Sequence, residues 1–273
     1  MMESLKKEEY VIRPCTSCGN NARLVDLNRI RKKLDDLFDK KDFDEAERLI
    51  NYWLKEVNNV NDYRTELELQ NEYIGFLRKL GRGDEAITHA KRCDELIDML
   101  GLSQNVSGAT IYLNIATVYK AFGKSDIAVS YFLKAKQVYD NNLKAGDKLF
   151  SGLFNNMALA LVDIGQFDAA EKLYREAIDI ILKYNDGELD AAISYLNLAD
   201  LYFKKYKTDP SDDYTKYNND IEKNCLLAWK LLNKNDTNRD AYYRFVCEKC
   251  APSFGFYGYF IFEKELKKRA NER

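Results

Sequence analysis

The sequence predicts an all-α solenoid of about six antiparallel helix pairs, and three observations predict it. A turn signature recurs four times, as Lys40-Lys41-Asp42-Phe43-Asp44-Glu45-Ala46, Gly81-Arg82-Gly83-Asp84-Glu85-Ala86, Gly123-Lys124-Ser125-Asp126-Ile127-Ala128 and Gly165-Gln166-Phe167-Asp168-Ala169-Ala170. Its alanines lie 40, 42 and 42 residues apart, a period that belongs to stacked supersecondary units. The apolar residues beside each signature fall at helical spacing: Tyr112, Ile115, Ala116 and Tyr119 before the third turn, Ala128, Tyr131, Phe132 and Ala135 after it. Finally, 273 residues hold 13 Gly and only 3 Pro, a scarcity that suits helices better than a turn-rich β chain. The repeat overrides the one or two globular domains that length alone would allow and favours one quasi-linear array.

Residues 1–23 are expected to form an N-terminal tail. The repeats then run over 24–235 as pairs at about 24–58, 62–99, 107–143, 149–183 and 188–233. Gly81, Gly123 and Gly165 suit the left-handed residue that ends a first helix. Asp42, with Glu45 three residues on, suits the start of a second helix, as do Asp84, Asp126 and Asp168. In the fifth pair the polar segment Thr208-Asp209-Pro210-Ser211-Asp212-Asp213 delays the second helix to about 214–233. Residues 236–273 are read as an atypical capping pair, with helices near 237–250 and 255–270 and a turn at Ser253-Phe254-Gly255. All three prolines, Pro14, Pro210 and Pro252, are expected outside helices.

Small residues recur where helices must approach within about 8–10 Å: Ala116, Ala158 and Ala199 in first helices, Ala46, Ala86, Ala128 and Ala170 early in second helices. Tyr119, Phe132, Phe154, Tyr174 and Tyr202 are expected to fill the gaps between them. No single hairpin buries its own apolar face, so stability comes from the interfaces between neighbours.

Charge narrows the function classes. The 42 basic and 44 acidic residues leave a formal net charge of −2, so no global basic field points to nucleic acid and no polybasic block points to a membrane surface. No apolar run reaches the roughly 18 residues of a membrane span, and residues 1–10 lack the apolar core of a secretory signal. Six cysteines in a chain of this length do not make a disulfide framework. The expectation is a cytoplasmic protein with reduced thiols.

Asn-x-Ala in the first helix, Gly-x-(Phe/Tyr)-x-x-Ala across the turn and Ala seven residues later resemble the tetratricopeptide repeat. Phe154-Asn155-Asn156-Met157-Ala158, followed by Gly165-Gln166-Phe167-Asp168-Ala169-Ala170 and Ala177, is similar to the long repeats of kinesin light chains and of bacterial peptide-sensing regulators. The resemblance covers roughly residues 24–235. It implies a right-handed superhelix whose concave face, lined by first helices, takes peptide segments or partner-protein elements. It also implies that the Asn two residues before the first-helix small residue faces this groove; Asn114, Asn156 and Asn197 match. Lys32 and Glu72 stand at the matching positions of the first two repeats and depart from the pattern. An Asn amide offers both donor and acceptor to an extended backbone; the alternative is that these Asn bond neighbouring helices and stabilise stacking. Helical spacing adds Arg31, Asp35, Asn71, Arg78, Lys120, Asn155 and Lys204 as groove candidates. The full Lys-Asn-Asn-Lys-Arg clamp of chaperone-binding relatives is not evident.

Two CxxC pairs, Cys15 with Cys18 and Cys247 with Cys250, are the metal candidates. A single Cys₄ site is disfavoured because the pairs stand near opposite ends of a stacked array. Buried thiols at 247 and 250 and a tail segment at 15 and 18 are the expected readings. The aromatic end of the chain, from Tyr242 to Phe262, suits a terminal cap, with Glu263-Lys264-Glu265-Leu266-Lys267-Lys268-Arg269 as its polar exterior; the rival is an exposed aromatic surface for a partner or a homodimer contact. The single His, His89, has no nucleophile or acid arranged around it by motif, and no phosphate loop or nucleophile elbow is present. The expected function is therefore a non-catalytic scaffold that binds a protein or peptide and needs no cofactor. A peptide-responsive sensor acting through a separate partner is the alternative, and a zinc or dithiol function through the CxxC pairs is a third.

Overall fold

The computed structural model describes residues 26–208, 214–234 and 239–272. Among them the chain forms helices in hairpin order: α1 (Leu27–Asp39), α2 (Phe43–Asn59), α3 (Tyr63–Lys79), α4 (Gly83–Met99), α5 (Val106–Ala121), α6 (Ser125–Asn142), α7 (Lys148–Asp163), α8 (Phe167–Ile181), α9 (Glu188–Thr208), α10 (Tyr214–Leu232), α11 (Ala241–Phe256) and α12 (Phe260–Ala270). No strand occurs among the described residues. The expected N-terminal segment with Cys15 and Cys18, and most of the 208–213 insertion, lie outside the described residues.

The turn signature has one physical form. After α3, Gly81 N–H donates to Arg78 O and Arg82 N–H to Leu77 O. The same two bonds close α5 (Gly123 to Lys120, Lys124 to Tyr119) and α7 (Gly165 to Val162, Gln166 to Leu161). This is the Schellman arrangement, which requires a left-handed residue just past the helix. Gly81, Gly123 and Gly165 adopt φ of +72°, +73° and +77°. In the first repeat Lys41 takes the position at φ 58°, where a side chain is less comfortable than none. Asp42 then caps α2, its carboxylate accepting from Glu45 N–H at 3.3 Å.

The chain divides into two compact units, up to Val118 and from Tyr119. In the first, α3 packs on α4 and α2 on α3, around Ile50, Leu67, Ile74, Leu77 and Leu96. In the second, α7 packs on α8, α9 on α10 and α11 on α12. The core of its C-terminal part runs from Leu196 and Ala199 through Cys225 and Ala228 to Tyr243, Val246, Phe254 and Leu266. Ala46, Ala86, Ala116, Ala128, Ala158, Ala170 and Ala199 are all fully buried, as close helix approach demands.

The cap departs from the expectation in three ways. Pro252 lies inside α11, on its exposed side along with Glu248 and Lys249. The carbonyl that loses its N–H partner one turn back therefore has water in reach, and the helix continues. The turn falls at Gly258 (φ +83°), which repeats the two Schellman bonds, and not at Gly255. Gly255 instead admits Glu263: a Cβ there would stand 2.4 Å from its carboxylate. Lastly, Arg269 is not exterior. It is 7% exposed, and its guanidinium donates to Leu232 O, Tyr243 Oη and Asn233 Oδ1, which locks α12 to the end of α10 and to α11.

Candidate functional site

The first helices of each unit carry a strip of polar side chains between otherwise buried residues. In the first unit, Arg31 on α1 bridges to α3, with Nε 2.9 Å from Glu72 Oε1 and Nη2 2.7 Å from Glu68 Oε2. Burial acts to lower the Arg31 pKa, but the two carboxylates outweigh it and hold it above the ordinary value. Burial pushes the Glu72 carboxyl up, with Arg31 opposing. Next along the strip, Asn114 Nδ2 donates to Asn71 Oδ1 at 2.9 Å. Arg78 has no ion-pair partner among the described residues, and desolvation lowers its pKa.

The second unit repeats the amide pairing. Asn197 Nδ2 donates to Asn155 Oδ1 at 3.0 Å, and Ser194 Oγ donates to the same oxygen. Asn156 stays with its own helix, donating to Gly152 O at 2.8 Å. Lys120 and Lys204 converge on one carboxylate, at 3.6 Å and 3.3 Å from Asp163, which also accepts from Ser125 Oγ.

The structure thus joins Asn71 to Asn114, Asn155 to Asn197, and Lys120 to Lys204 through Asp163. It leaves Asn156 and Arg78 without a neighbouring site residue. Asp163, Glu68 and Ser194 are functional candidates that motif reading missed. The signal that could have found them is partner spacing: these contacts join residues 37 to 43 positions apart, one repeat along, with opposite charge or complementary polarity.

Both amide pairs share an orientation. The earlier Asn accepts through Oδ1 and the later Asn donates through Nδ2. That leaves Asn71 Nδ2 with Asn114 Oδ1, and Asn155 Nδ2 with Asn197 Oδ1, without partners among the described residues. Asn71 is 7% exposed, and Asn114, Asn155 and Asn197 are half-buried. A free donor beside a free acceptor is what an extended peptide backbone can bond.

Other candidates have structural places. His89 Nδ1 lies 2.6 Å from Gln70 Oε1 and its ring packs on Tyr73, so its neighbours are an amide and a phenol. Cys247 and Cys250 are buried; burial raises both thiols, Cys250 to about 12. No group of three or more His, Cys, Asp or Glu that could hold a metal occurs among the described residues. At the cap Phe254 and Tyr243 are buried, while Phe256, Phe260 and Ile261 are 64%, 69% and 82% exposed. No described helix is long and apolar enough to cross a membrane.

A tetratricopeptide-repeat model matches residues 150–210 and a second matches 109–142; the chain carries tetratricopeptide repeats there. No curated protein shows a significant sequence match to the chain. Among solved structures, BtubC (BKLC) from P. vanneervenii is 18% identical over 78% of this chain and 84% of its own, with a TM-score of 0.64. One form of the kinesin light chain TPR-like repeats from Podosopora anserina is 16% identical over 75% of this chain and 92% of its own, at 0.53. The apo form of the quorum sensor NprR from B. thuringiensis is 16% identical over 91% of this chain and 66% of its own, at 0.54. At these identities the likeness is one of fold: an all-α repeat protein.

Proposed function

We propose that this chain is a non-catalytic scaffold that takes an extended peptide or protein segment along its first helices. The observation that carries this reading is the donor–acceptor pair left over at Asn71/Asn114, repeated at Asn155/Asn197. Arg78 supplies charge in the first unit, and Lys120 and Lys204, shared with Asp163, supply it in the second. Peptides selected by display on the whole chain, measured against an Asn114→Ala, Asn156→Ala, Asn197→Ala variant, test it. Asn114 and Asn197 each lose an amide bond worth about 0.5–1.5 kcal/mol, while Asn156 bonds within its own helix and adds little, so the triple variant should bind roughly five- to 150-fold more weakly with its melting little changed. Unaltered binding defeats the proposal, and loss of the fold assigns the Asn to stacking instead.

A regulatory version has the same face act as a peptide sensor whose output passes to a separate partner; the fold likeness to NprR across 91% of the chain is compatible with it. Peptide addition should then change the scattering profile of the protein. A zinc or dithiol role would require Cys247 and Cys250 to leave the core they occupy, and one zinc per purified chain would establish it. A homodimer contact at the cap would use Phe256, Phe260 and Ile261, and sedimentation of an Ile261→Lys variant tests that.

A further inference from the structure

Between α9, α10 and the turn that joins α11 to α12 lies a cavity of about 300 Å³, lined chiefly by Phe203, Tyr206, Tyr217, Tyr257, Tyr259 and Glu222. Its volume stands at the small end of ligand sites, large enough for one compact group. The rings do not stack into a slab: Tyr206 meets Tyr217 at 54° and Phe203 meets Tyr257 at 76°. They wall the space from several directions.

The walls are held in place from behind. Tyr257 Oη donates to Asp200 Oδ1 at 2.7 Å. Tyr259 stacks on Phe262 at 5.4 Å, and Phe262 stacks on Trp229 at 4.0 Å. Tyr217 is 5% exposed. A site whose walls are set before binding loses little entropy when it is filled.

The charge among the described lining residues is negative. Aromatic faces carry the negative side of the ring quadrupole and attract cations within about 6 Å. Among the described residues Glu222 is the charged side chain of the lining, and no described Lys, Arg or His joins it there. The rings here already draw a cation: Lys207 Nζ lies 5.5 Å from the Phe203 centroid. The donor count narrows the ligand further. A primary ammonium brings three N–H donors that each want an acceptor; the ring faces accept none, so it would have to reach Asn218, Glu222 or the tyrosine hydroxyls at the edges of the wall. A quaternary ammonium brings none.

We propose that this cavity binds a quaternary ammonium group, with the trimethylammonium head packed among Phe203, Tyr206, Tyr217, Tyr257 and Tyr259 and its charge balanced by Glu222. The site is separate from the amide strip and does not depend on the peptide-binding reading. Its sources differ by experiment: choline represents a free metabolite, trimethyllysine a modified protein, and phosphatidylcholine vesicles, read against phosphatidylglycerol vesicles, a lipid surface.

The test is calorimetry on the full chain with choline and trimethyllysine, each beside a neutral control; for choline this is 3,3-dimethylbutan-1-ol, which has the same shape without the charge. Saturable binding of one quaternary ligand is expected, with the neutral control about five- to tenfold weaker. Glu222→Gln, at an exposed position that leaves folding intact, should weaken the cation several-fold and the neutral control not at all. Tyr206→Leu should weaken both. Failure of choline, trimethyllysine and phosphatidylcholine vesicles alike to bind overturns the proposal. So does equal affinity for the charged and neutral forms, or cation binding that Glu222→Gln leaves unchanged.

Discussion

Replacing Arg269 with Ala should unlock the C-terminal cap. The guanidinium is 7% exposed; Nη1 donates to Leu232 O at 3.2 Å and Tyr243 Oη at 3.0 Å, Nη2 to Asn233 Oδ1 at 2.8 Å, and Nε to Glu265 Oε1 at 2.8 Å. Its carbon also lies 5.5 Å from the Trp229 ring centroid. Not all of these contacts count equally. Glu265 is 39% exposed and regains water when the arginine goes, so that ion pair contributes little. Leu232 O keeps the Tyr243 hydroxyl as a donor at 3.2 Å. What is lost is the charged bonding to the buried Leu232 O and Tyr243 Oη, about 1.5 kcal/mol each, together with the packing of the stem. The total is about 2–4 kcal/mol. Arg269→Met restores the stem without the head and should recover roughly 1 kcal/mol of this. Trp229 reports the loss directly, because Trp53 is the other tryptophan and Trp53→Phe silences it. Urea titration read by Trp229 fluorescence is the appropriate assay, since repeat arrays unfold piecewise and a global signal would blur the cap. An Arg269→Ala midpoint equivalent to under about 0.5 kcal/mol, or complete rescue by Met, would refute the role assigned to the guanidinium.

Three further outcomes are expected. Ala128→Leu and Ala170→Leu place three extra carbons at fully buried positions and should each destabilise by about 1–3 kcal/mol in thermal melts; unchanged melting would contradict the close helix approach. His89 is held below its ordinary 6.5 by burial, with Glu85 opposing and Arg82 reinforcing. The unfolded chain therefore takes up the proton first as pH falls, and stability present above about 6.5 should decline below it. The single imidazole can be followed by NMR, and a midpoint at or above 6.5 would contradict this reading. Cys93, Cys225, Cys247 and Cys250 are buried with raised thiol pKa values, so mass spectrometry after iodoacetamide should find them labelled only in denaturant; rapid native labelling of Cys247 and Cys250 would reopen the dithiol reading.

The candidate site was half legible. Asn114, Asn156 and Asn197 could be picked out because they stand at one position of the repeat, and Asn71 and Asn155 because helical spacing adds the position before it. Their pairing could not. Asn155 and Asn156 are adjacent in sequence, yet Asn155 reaches the next repeat while Asn156 bonds back to Gly152. A few degrees of helix rotation decide which amide faces the neighbour, and that rotation follows from how two surfaces pack. Asp163 shows the same limit: by itself it is an exposed acid at the end of α7, and only stacking brings two lysines to it.

The sequence by itself determined the all-α repeat, the left-handed turn that closes each first helix and the alanines at the close approaches. These depend on periodicity and on single-residue conformational preference, both local properties of the chain. Tertiary structure alone decided which polar groups pair across repeats and that Arg269 is interior. It also let Pro252 sit within a helix whose exposed side gives the freed carbonyl access to water. Each of these turns on what a residue meets some 20 to 45 positions away, and that meeting is set by the packing of whole helices.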